Sequence, residues 1–384
     1  MQNIKFNNPK KMYFHYPTFF KLLRLTFTRR YFAPRHAALV ILFVIPFLLL
    51  RLFVLCMRGL DHLLFPGFRE QKVRAPLYII GNPRSGTTFS HRLLALDEQF
   101  TFFKLYHTIF PSVCCYKAFA LLGRVDRILG RPAARLLYLI SNRGFKGWET
   151  IHKTGPDKAE SDEMLFMYAM LSPLLLLLFP FIREMDAATF VDLLPAGTKE
   201  KLMRYYVSCL KRHLYATGPE KTLLQKVALI AGRIQTIEEV LPDMRIVHLV
   251  RNPAESIPSL ISMFEVTWKS LAPHLLADGQ TCQDMADLIC RYYLHLHEVE
   301  QGMGPEKLLR VRYTDLIADP KKTVYHIYNH FGIPMRPEYE QLLTEEMNRA
   351  RTYKSRHRYS LEQYGLSEAD IRRRLAPIYK EYGF

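Results

Sequence analysis

Hydrophobic and polar positions divide the 384-residue chain into a leader and a long alternating region. Residues 37–57, AALVILFVIPFLLLRLFVLCM, are apolar at every position except Arg51, and Pro46 lies inside the run. Its uninterrupted part, 37–50, is 14 residues long, the length of an interfacial or re-entrant segment and short of the roughly 18 to 20 that a spanning helix needs. The 36 preceding residues and the lack of a small-residue cleavage site argue against a removed signal peptide. From about residue 76 short apolar runs alternate with helical periodicity. LYIIG (77–81), TLLQKV (222–227), RIVHLV (245–250) and LLRVRY (308–313) read as strands, and GRIQTIEEVL and KKTVYHIYNHF as helices. That alternation predicts an α/β fold with a parallel sheet flanked by helices. The division expected is a basic leader with an apolar membrane-associated helical segment over 1–75 and an α/β domain over 76–384. A second uncharged run, MLFMYAMLSPLLLLLFPFI (164–182), is broken by Pro173 and Pro180 and reads as two short buried helices, with a membrane contact as the alternative.

Charge adds the class of partner. The formal net charge is +17, and eight cations with no acid fall in the first 36 residues. An anionic partner is implied: nucleic acid, a membrane surface or a small polyanion. Basic and aromatic residues interleave only in the leader, and no RNA- or DNA-binding motif appears, which leaves a non-catalytic anion- or nucleic-acid-binding membrane protein as the weaker reading. The leader, with Tyr13, Phe14, Phe19 and Phe20 among its aromatics, suits an interface beside anionic lipid. Six cysteines lack C-x-x-C spacing and no N-x-S/T sequon occurs, so a reduced compartment without structural zinc is expected. The α/β domain is then placed on the cytoplasmic side. The alternative is a single span with the domain on the far, Golgi-like side.

The candidate chemistry begins at the first strand. GNPRSGTT (81–88) follows it and opens a helix, as a phosphate-binding P-loop does. Gly81 and Gly86 let the backbone turn closely around an anion, toward which the N–H groups of Ser85 to Thr88 point. Thr87 stands where a triphosphate-binding loop carries its lysine, and HLVRNP ends a neighbouring strand with Arg251 where a magnesium-binding acid would be. These residues oppose a P-loop kinase or NTPase, the runner-up enzyme class, and favour a nucleotide without a γ-phosphate and without a metal. In RNPAESIPS, Ser259 follows Arg251 by about two helical turns, so a strand-end cation and a helical hydroxyl can converge on a second phosphate.

At these residues the sequence resembles the sulfotransferases that use 3′-phosphoadenosine 5′-phosphosulfate (PAPS), closest to the branch of bacterial and tyrosylprotein-type enzymes. PRSGTT looks like their 5′-phosphosulfate loop and R-x-P-x-x-x-x-x-S like their 3′-phosphate motif. YTDLIADP (313–320) and YKSRHRYSLEQYGL (353–366) extend the resemblance over roughly residues 76–384. It implies transfer of a sulfuryl group to an acceptor hydroxyl, with adenosine 3′,5′-bisphosphate as the product. Arg84, Ser85, Gly86, Thr87, Thr88, Arg251 and Ser259 would hold the donor. In the basic cluster Arg349, Arg351, Lys354, Arg356, Arg358, either a solvated face or a loop over the bisphosphate, Lys354 or Arg356 would reach a phosphate. Arg84 would touch the transferring group, and Lys226 matches a lysine near the leaving oxygen, although Val227 and Ala228 depart from the family's K-x-P continuation. The acceptor's proton needs a base. Glu160 and His152 in HKTGPDKAESDE and His107 in KLYHTIFP are the alternatives. The apolar segments suggest that the acceptor hydroxyl is on a sterol, lipid or glycolipid. His295 and His297, two apart on a helix, face different ways and read as structural. SEAD (367–370) reads as a helix N-cap.

Overall fold

The computed structural model describes residues 12–82, 84–132, 135, 159–277, 279–350 and 360–384. Five strands form one sheet: β1 (Leu77–Ile80), β2 (Phe100–Thr101), β3 (Thr222–Val227), β4 (Arg245–Val250) and β5 (Leu308–Arg312), in the order β2-β3-β1-β4-β5. All pairs are parallel. Because parallel neighbours require crossover connections, helices cover both faces and the strand residues are mostly buried. Every residue of β1 is buried. One face carries Leu77, Ile79, Leu224, Val247 and Leu249, packed with Leu93 and Leu94 of helix α3 (Thr87–Leu94); Tyr78, Ile80, Ile246 and Val250 belong to the larger core on the other. The chain runs from β1 to β2 and β3 on one side, then to β4 and β5 on the other. The crevice beyond the carboxyl end of β1 is therefore the switch point at which open α/β sheets take ligands.

The expected strands at 222–227 and 245–250 are found with those bounds. The run 164–182 forms one α-helix, Glu163–Tyr168, followed by the 3-10 turns Pro173–Leu177 and Ile182–Glu184, because its prolines cannot continue a helix. It is interior: Leu165, Tyr168, Leu171 and Phe181 are fully buried, and Trp268 Nε1 donates to Leu176 O at 2.7 Å.

The leader differs from its sequence reading in length. Helix α1 spans Tyr16–Thr26, and helix α2, Pro34–Leu64, runs 31 residues without a break, about 45 Å, which is long enough to cross a membrane. Pro46 faces outward, so the hydrogen bond it removes lies on the exposed side. Arg51 does not end the apolar helix because the leader absorbs its charge: Nη2 donates to Met12 O at 3.0 Å, and the guanidinium lies 4.6 Å from the centre of the Phe14 ring. Leader residues Phe14, Leu22, Val40, Phe47 and Val54 share the core beneath the sheet.

Buried charges fasten the end of α2. Arg212 and Asp61, both 0% exposed in their side chains, pair at 2.7 Å; Asp61 also accepts from Ser112 Oγ and Cys114 N at 2.8 Å. Arg58 donates to Pro111 O and Ser208 Oγ, each at 2.9 Å. Asp61→Ala leaves Arg212 charged and unpaired in the interior, and is expected to cost about 3–5 kcal/mol. Urea unfolding of wild type and variant measures the loss. An unchanged midpoint would mean that the pair does not fasten the helix.

Candidate functional site

The turn after β1 is built for a close approach. Gly86 has φ +85°, and a Cβ there would lie 2.9 Å from Leu316 Cδ2 and 3.2 Å from Tyr313. At Gly81 a Cβ would meet Leu249 O at 2.6 Å. Between them Arg84 has φ +70°, a left-handed conformation that costs a residue with a Cβ about 1–2 kcal/mol. Arg251, just past β4, supports it: Nη1 donates to Arg84 O at 2.7 Å. The same guanidinium is bound to Glu255 at 2.7 and 3.0 Å and lies 4.4 Å from the Tyr313 ring centre. The segments 81–88, 251–259 and 313–320 therefore converge at one end of the sheet. Ser259, buried, follows Glu255 by one turn on the helix Pro253–Leu271.

The cradle carries unspent hydrogen-bonding capacity. Ser85 is fully buried and its Oγ has no partner, and the same holds for the amide nitrogen of buried Asn82. Helix α3 starts at Thr87, so its first N–H groups lack helical partners and its positive end faces the turn. Thr87 is buried, while Arg84 and Thr88 are exposed. Buried orphan donors at a helix start suit an oxyanion.

Lys226 stands beside this cradle. It pairs in register with Ile79 of β1, two residues before Gly81. Its Nζ lies 3.7 Å from Glu160 Oε2, with the two side chains 4% and 13% exposed. Burial lowers the Lys226 pKa, and the negative Glu160 opposes that shift. His91 on α3 is pushed down to about 3 by burial and by the Lys226 charge, so it is neutral. Glu160 is held by its own backbone: its N–H donates to Phe103 O at 2.9 Å beside an antiparallel bridge between Lys104 and Ala159.

Beneath it lies a buried network. Arg233 binds Glu163 through both ends of its guanidinium, one contact at 3.2 Å, and lies 3.8 Å from Asp162. Ser172 Oγ donates to Glu163 at 2.7 Å. Tyr206 donates to Asp162 and meets Tyr78 of β1, hydroxyl to hydroxyl, at 2.8 Å. Burial raises Asp162 to about 6 against the pull of Arg233. The network fixes residues 162 and 163 to the central strand and so positions Glu160, which precedes them by two.

A family model described as Sulfotransferase family matches residues 76–337. The chain belongs to the sulfotransferase family. The omega-hydroxy-beta-dihydromenaquinone-9 sulfotransferases Stf3 of Mycobacterium bovis and Mycobacterium tuberculosis are each 24% identical over 268 residues, covering 67% of this chain and 63% of theirs. The match thus spans less than two thirds of those relatives' length. Among solved structures, sulfotransferase STF1 from Mycobacterium tuberculosis H37Rv superposes with a TM-score of 0.72 at 19% identity, covering 97% of this chain and 94% of its own. Sulfotransferase STF9 from Mycobacterium avium gives 0.66 at 19%, over 85% and 80%. These likenesses establish the fold. The sulfotransferase match includes the cradle, Glu160, Lys226, Arg251 and Ser259, and leaves out the leader.

Not every expected residue joins this cluster. His107 does not: it is buried among the rings of Tyr106, Tyr116 and His213, its Nδ1 accepts from Lys104 N at 3.1 Å, and burial pushes it to about 3. It caps a short helix, and its Nδ1 is spent on the Lys104 N–H. His152, Lys354 and Arg356 lie outside the described residues, as do Arg351 and Arg358 of the basic cluster. His295 and His297 pair separately with Asp192 at 2.9 Å and Glu381 at 2.8 Å. Ser367 caps its helix, accepting from Asp370 N at 3.0 Å. The sequence reading missed His91, Arg233 and Asp162. Adjacent acids in ESDE were their only local signal.

Two measurements follow from the buried charges. Arg233→Met strands two carboxylates, and is expected to destabilise the fold by about 3–5 kcal/mol, read by urea unfolding; a loss below about 1 kcal/mol would show that the carboxylates protonate or rehydrate instead. Burial also lowers His91, His107 and His213 below the unfolded value of 6.5. The unfolded chain then binds protons first, so stability is complete above that pH and falls below it, by about 1.4 kcal/mol per histidine at pH 5.5. His107→Gln should flatten the slope between pH 7 and 5.5 by one histidine's share; an unaltered slope would show that His107 is protonated when folded.

Proposed function

We propose that this chain is a PAPS-dependent sulfotransferase acting on a hydroxyl of a lipophilic acceptor. The observation that carries the reading is the pairing of Lys226 with Glu160 next to a cradle with orphaned buried donors. The donor fits the residues present. Asn82, Ser85 and the start of α3 offer donors to one anionic end, and Arg251 with Ser259 offers a cation and a hydroxyl to the other. Thr87 and Arg251 provide neither the lysine nor the acid that a magnesium triphosphate requires.

The bound donor supplies an activated sulfuryl group, and the chain's own residues do the rest. Arg84 and Lys226 neutralise negative charge that grows on the oxygens around the transferring sulfur. Because Lys226 is desolvated, its charge acts in a low dielectric, where it counts for more than in water. Glu160, 3.7 Å from the Lys226 ammonium, accepts the acceptor's proton. In this reading the acceptor oxygen gains the sulfur bond, the bridging oxygen keeps the electron pair of the bond that breaks, and adenosine 3′,5′-bisphosphate leaves.

Two observations support a lipophilic acceptor. The relatives named above act on a hydroxylated dihydromenaquinone, and α2 carries an apolar face, with Leu42, Leu49 and Leu52 exposed. We place residues 37–57 at a membrane and the catalytic domain on its cytoplasmic side, where PAPS is made.

Lys226→Met and Glu160→Gln should each lower kcat about 10²–10³-fold with the affinity for adenosine 3′,5′-bisphosphate kept. Arg251→Ala should weaken that affinity about tenfold or more, read by calorimetry. With radiolabelled PAPS and fractionated cell extract, label is expected in the lipid phase; label confined to sugars or peptide tyrosines would reject the acceptor class. If ATP with Mg²⁺ raised the melting temperature more than the bisphosphate did, the kinase reading would replace this one.

A further inference from the structure

We infer that the protein docks on one leaflet of an anionic bilayer, using α2 together with a second lipid-facing helix, Val113–Ile128. This rests on the membrane association proposed above, and names its geometry and lipid class.

The packing of α2 decides between lying and spanning. His36, Val40, Phe47, Val54, Arg58 and Asp61 are buried. Their spacing, multiples of three, four and seven, draws one stripe along nearly the whole helix. That stripe rests on the α/β body throughout: His36 Nε2 meets Leu178 O at 2.8 Å near the start, and Asp61 pairs with Arg212 near the end. A helix clasped along its length by a globular domain cannot also be surrounded by acyl chains. Its opposite side is nevertheless apolar, with Leu42, Ile45, Leu49, Leu52 and Leu63 exposed.

The neighbouring helix Val113–Ile128 is fastened to α2 at its start, where Cys114 N and Ser112 Oγ bond Asp61. Phe119 still packs on Phe110 and Tyr106, and beyond it the apolar side chains are exposed. Leu121, Leu122, Val125, Ile128 and Leu129 are exposed, Leu122 at 61% and Ile128 at 84%. The spacing i, i+1, i+4, i+7, i+8 gathers them on one side of the helix. Lys117, Arg124 and Arg127 follow one edge of this stripe at about 100° per residue. Lys117 and Arg124 have no carboxylate partner among the described residues, and neither do Arg24, Arg29 and Arg35 of the leader. An apolar stripe edged with unpaired cations matches an anionic lipid surface: the side chains enter the acyl boundary and the cations meet phosphate. A second copy of this chain would meet the same cations with its own.

The full chain is tested by flotation with vesicles of phosphatidylcholine, with and without phosphatidylglycerol. Binding is expected to be at least about tenfold stronger with the anionic lipid, and Leu122→Asp and Ile128→Asp should each weaken it about tenfold. Both sites are exposed, so an unchanged melting temperature verifies folding. Wild-type binding by these variants would remove the second helix from the surface. Concentration-dependent dimers dispersed by Leu122→Asp, without vesicle binding, would give the face to a second copy. Environment-sensitive fluorophores on Leu42→Cys, Leu52→Cys and Leu63→Cys, in a background lacking Cys56 and Cys114, should all be quenched at one shallow depth. A gradient of depth along α2 would instead establish a span. Transfer to a detergent-dispersed acceptor, measured separately, isolates failure of docking from failure of the sulfotransferase reading.

Discussion

Arg233 is sealed beneath the sheet, where a guanidinium has no stable existence without compensating charge, and Asp162 and Glu163 supply that compensation. Satisfying it fixes the backbone of 162–163, and through Tyr206 and Tyr78 the same network reaches the central strand. Glu160 is then left little freedom, since a backbone hydrogen bond to Phe103 holds it from the other direction. The consequence is a carboxylate delivered to a buried lysine from a distant part of the chain. An exposed pair at 3.7 Å would contribute little; enclosed, each charge depends on the other, which suits a site that must hold charge in a set direction.

The leader obeys the same electrostatic logic. Beyond Arg35 in its first turn, its apolar helix carries three charges that lipid would not tolerate, Arg51, Arg58 and Asp61, and each is turned toward protein: Arg51 to main-chain oxygens of the leader, Arg58 to Pro111 and Ser208, Asp61 to Arg212. Side chains so spent cannot face a bilayer, which leaves the other side of the helix uniformly apolar. Polar groups turned inward and leucines outward invert the usual order of a soluble protein.

Legibility in the sequence followed the range of the interactions. β3 and β4 could be read because each keeps a short apolar run, Leu223–Leu224 and Ile246–Val247, between helical stretches, although Gln225, Lys226 and His248 lie buried in the same strands. The cradle was legible because its glycines answer to local backbone demands, the left-handed turn at Gly86 above all. β2 was missed: Phe100 and Thr101 are too few to make a pattern and become a strand only by pairing with Thr222 and Leu223. The length of α2 was underestimated because nothing local shows that Met12 and Phe14 will take up Arg51. His107 appeared reactive because position after the loop suggested a base, whereas its ring is committed to Lys104 and to its aromatic neighbours. Arg233 was invisible for the same reason as Arg51, since its partners come from remote segments.

The two halves of the molecule meet in a single stretch of chain. Phe103 O accepts from Glu160 N, and Lys104 forms a β-bridge with the preceding Ala159; a short helix, Leu105–Ile109, follows; then Pro111, Ser112 and Cys114 bond Arg58 and Asp61 of α2. The helix Val113–Ile128 starts there and carries the apolar stripe outward. Every residue between Glu160's support and the anchoring of α2 is thus in a defined secondary element or bonded turn, and displacement of the exposed helix has a stiff path to the carboxylate. A soluble acceptor would gain nothing from such a connection. An acceptor held in a leaflet has to be met at a fixed height and angle, and proton abstraction demands that the base hold its place to within a fraction of an ångström. On the proposed reading of a membrane-docked chain with Glu160 as base, rigid coupling between the exposed helix and Glu160 would satisfy both requirements at once, and a leader that shares the core of the α/β domain supplies that rigidity.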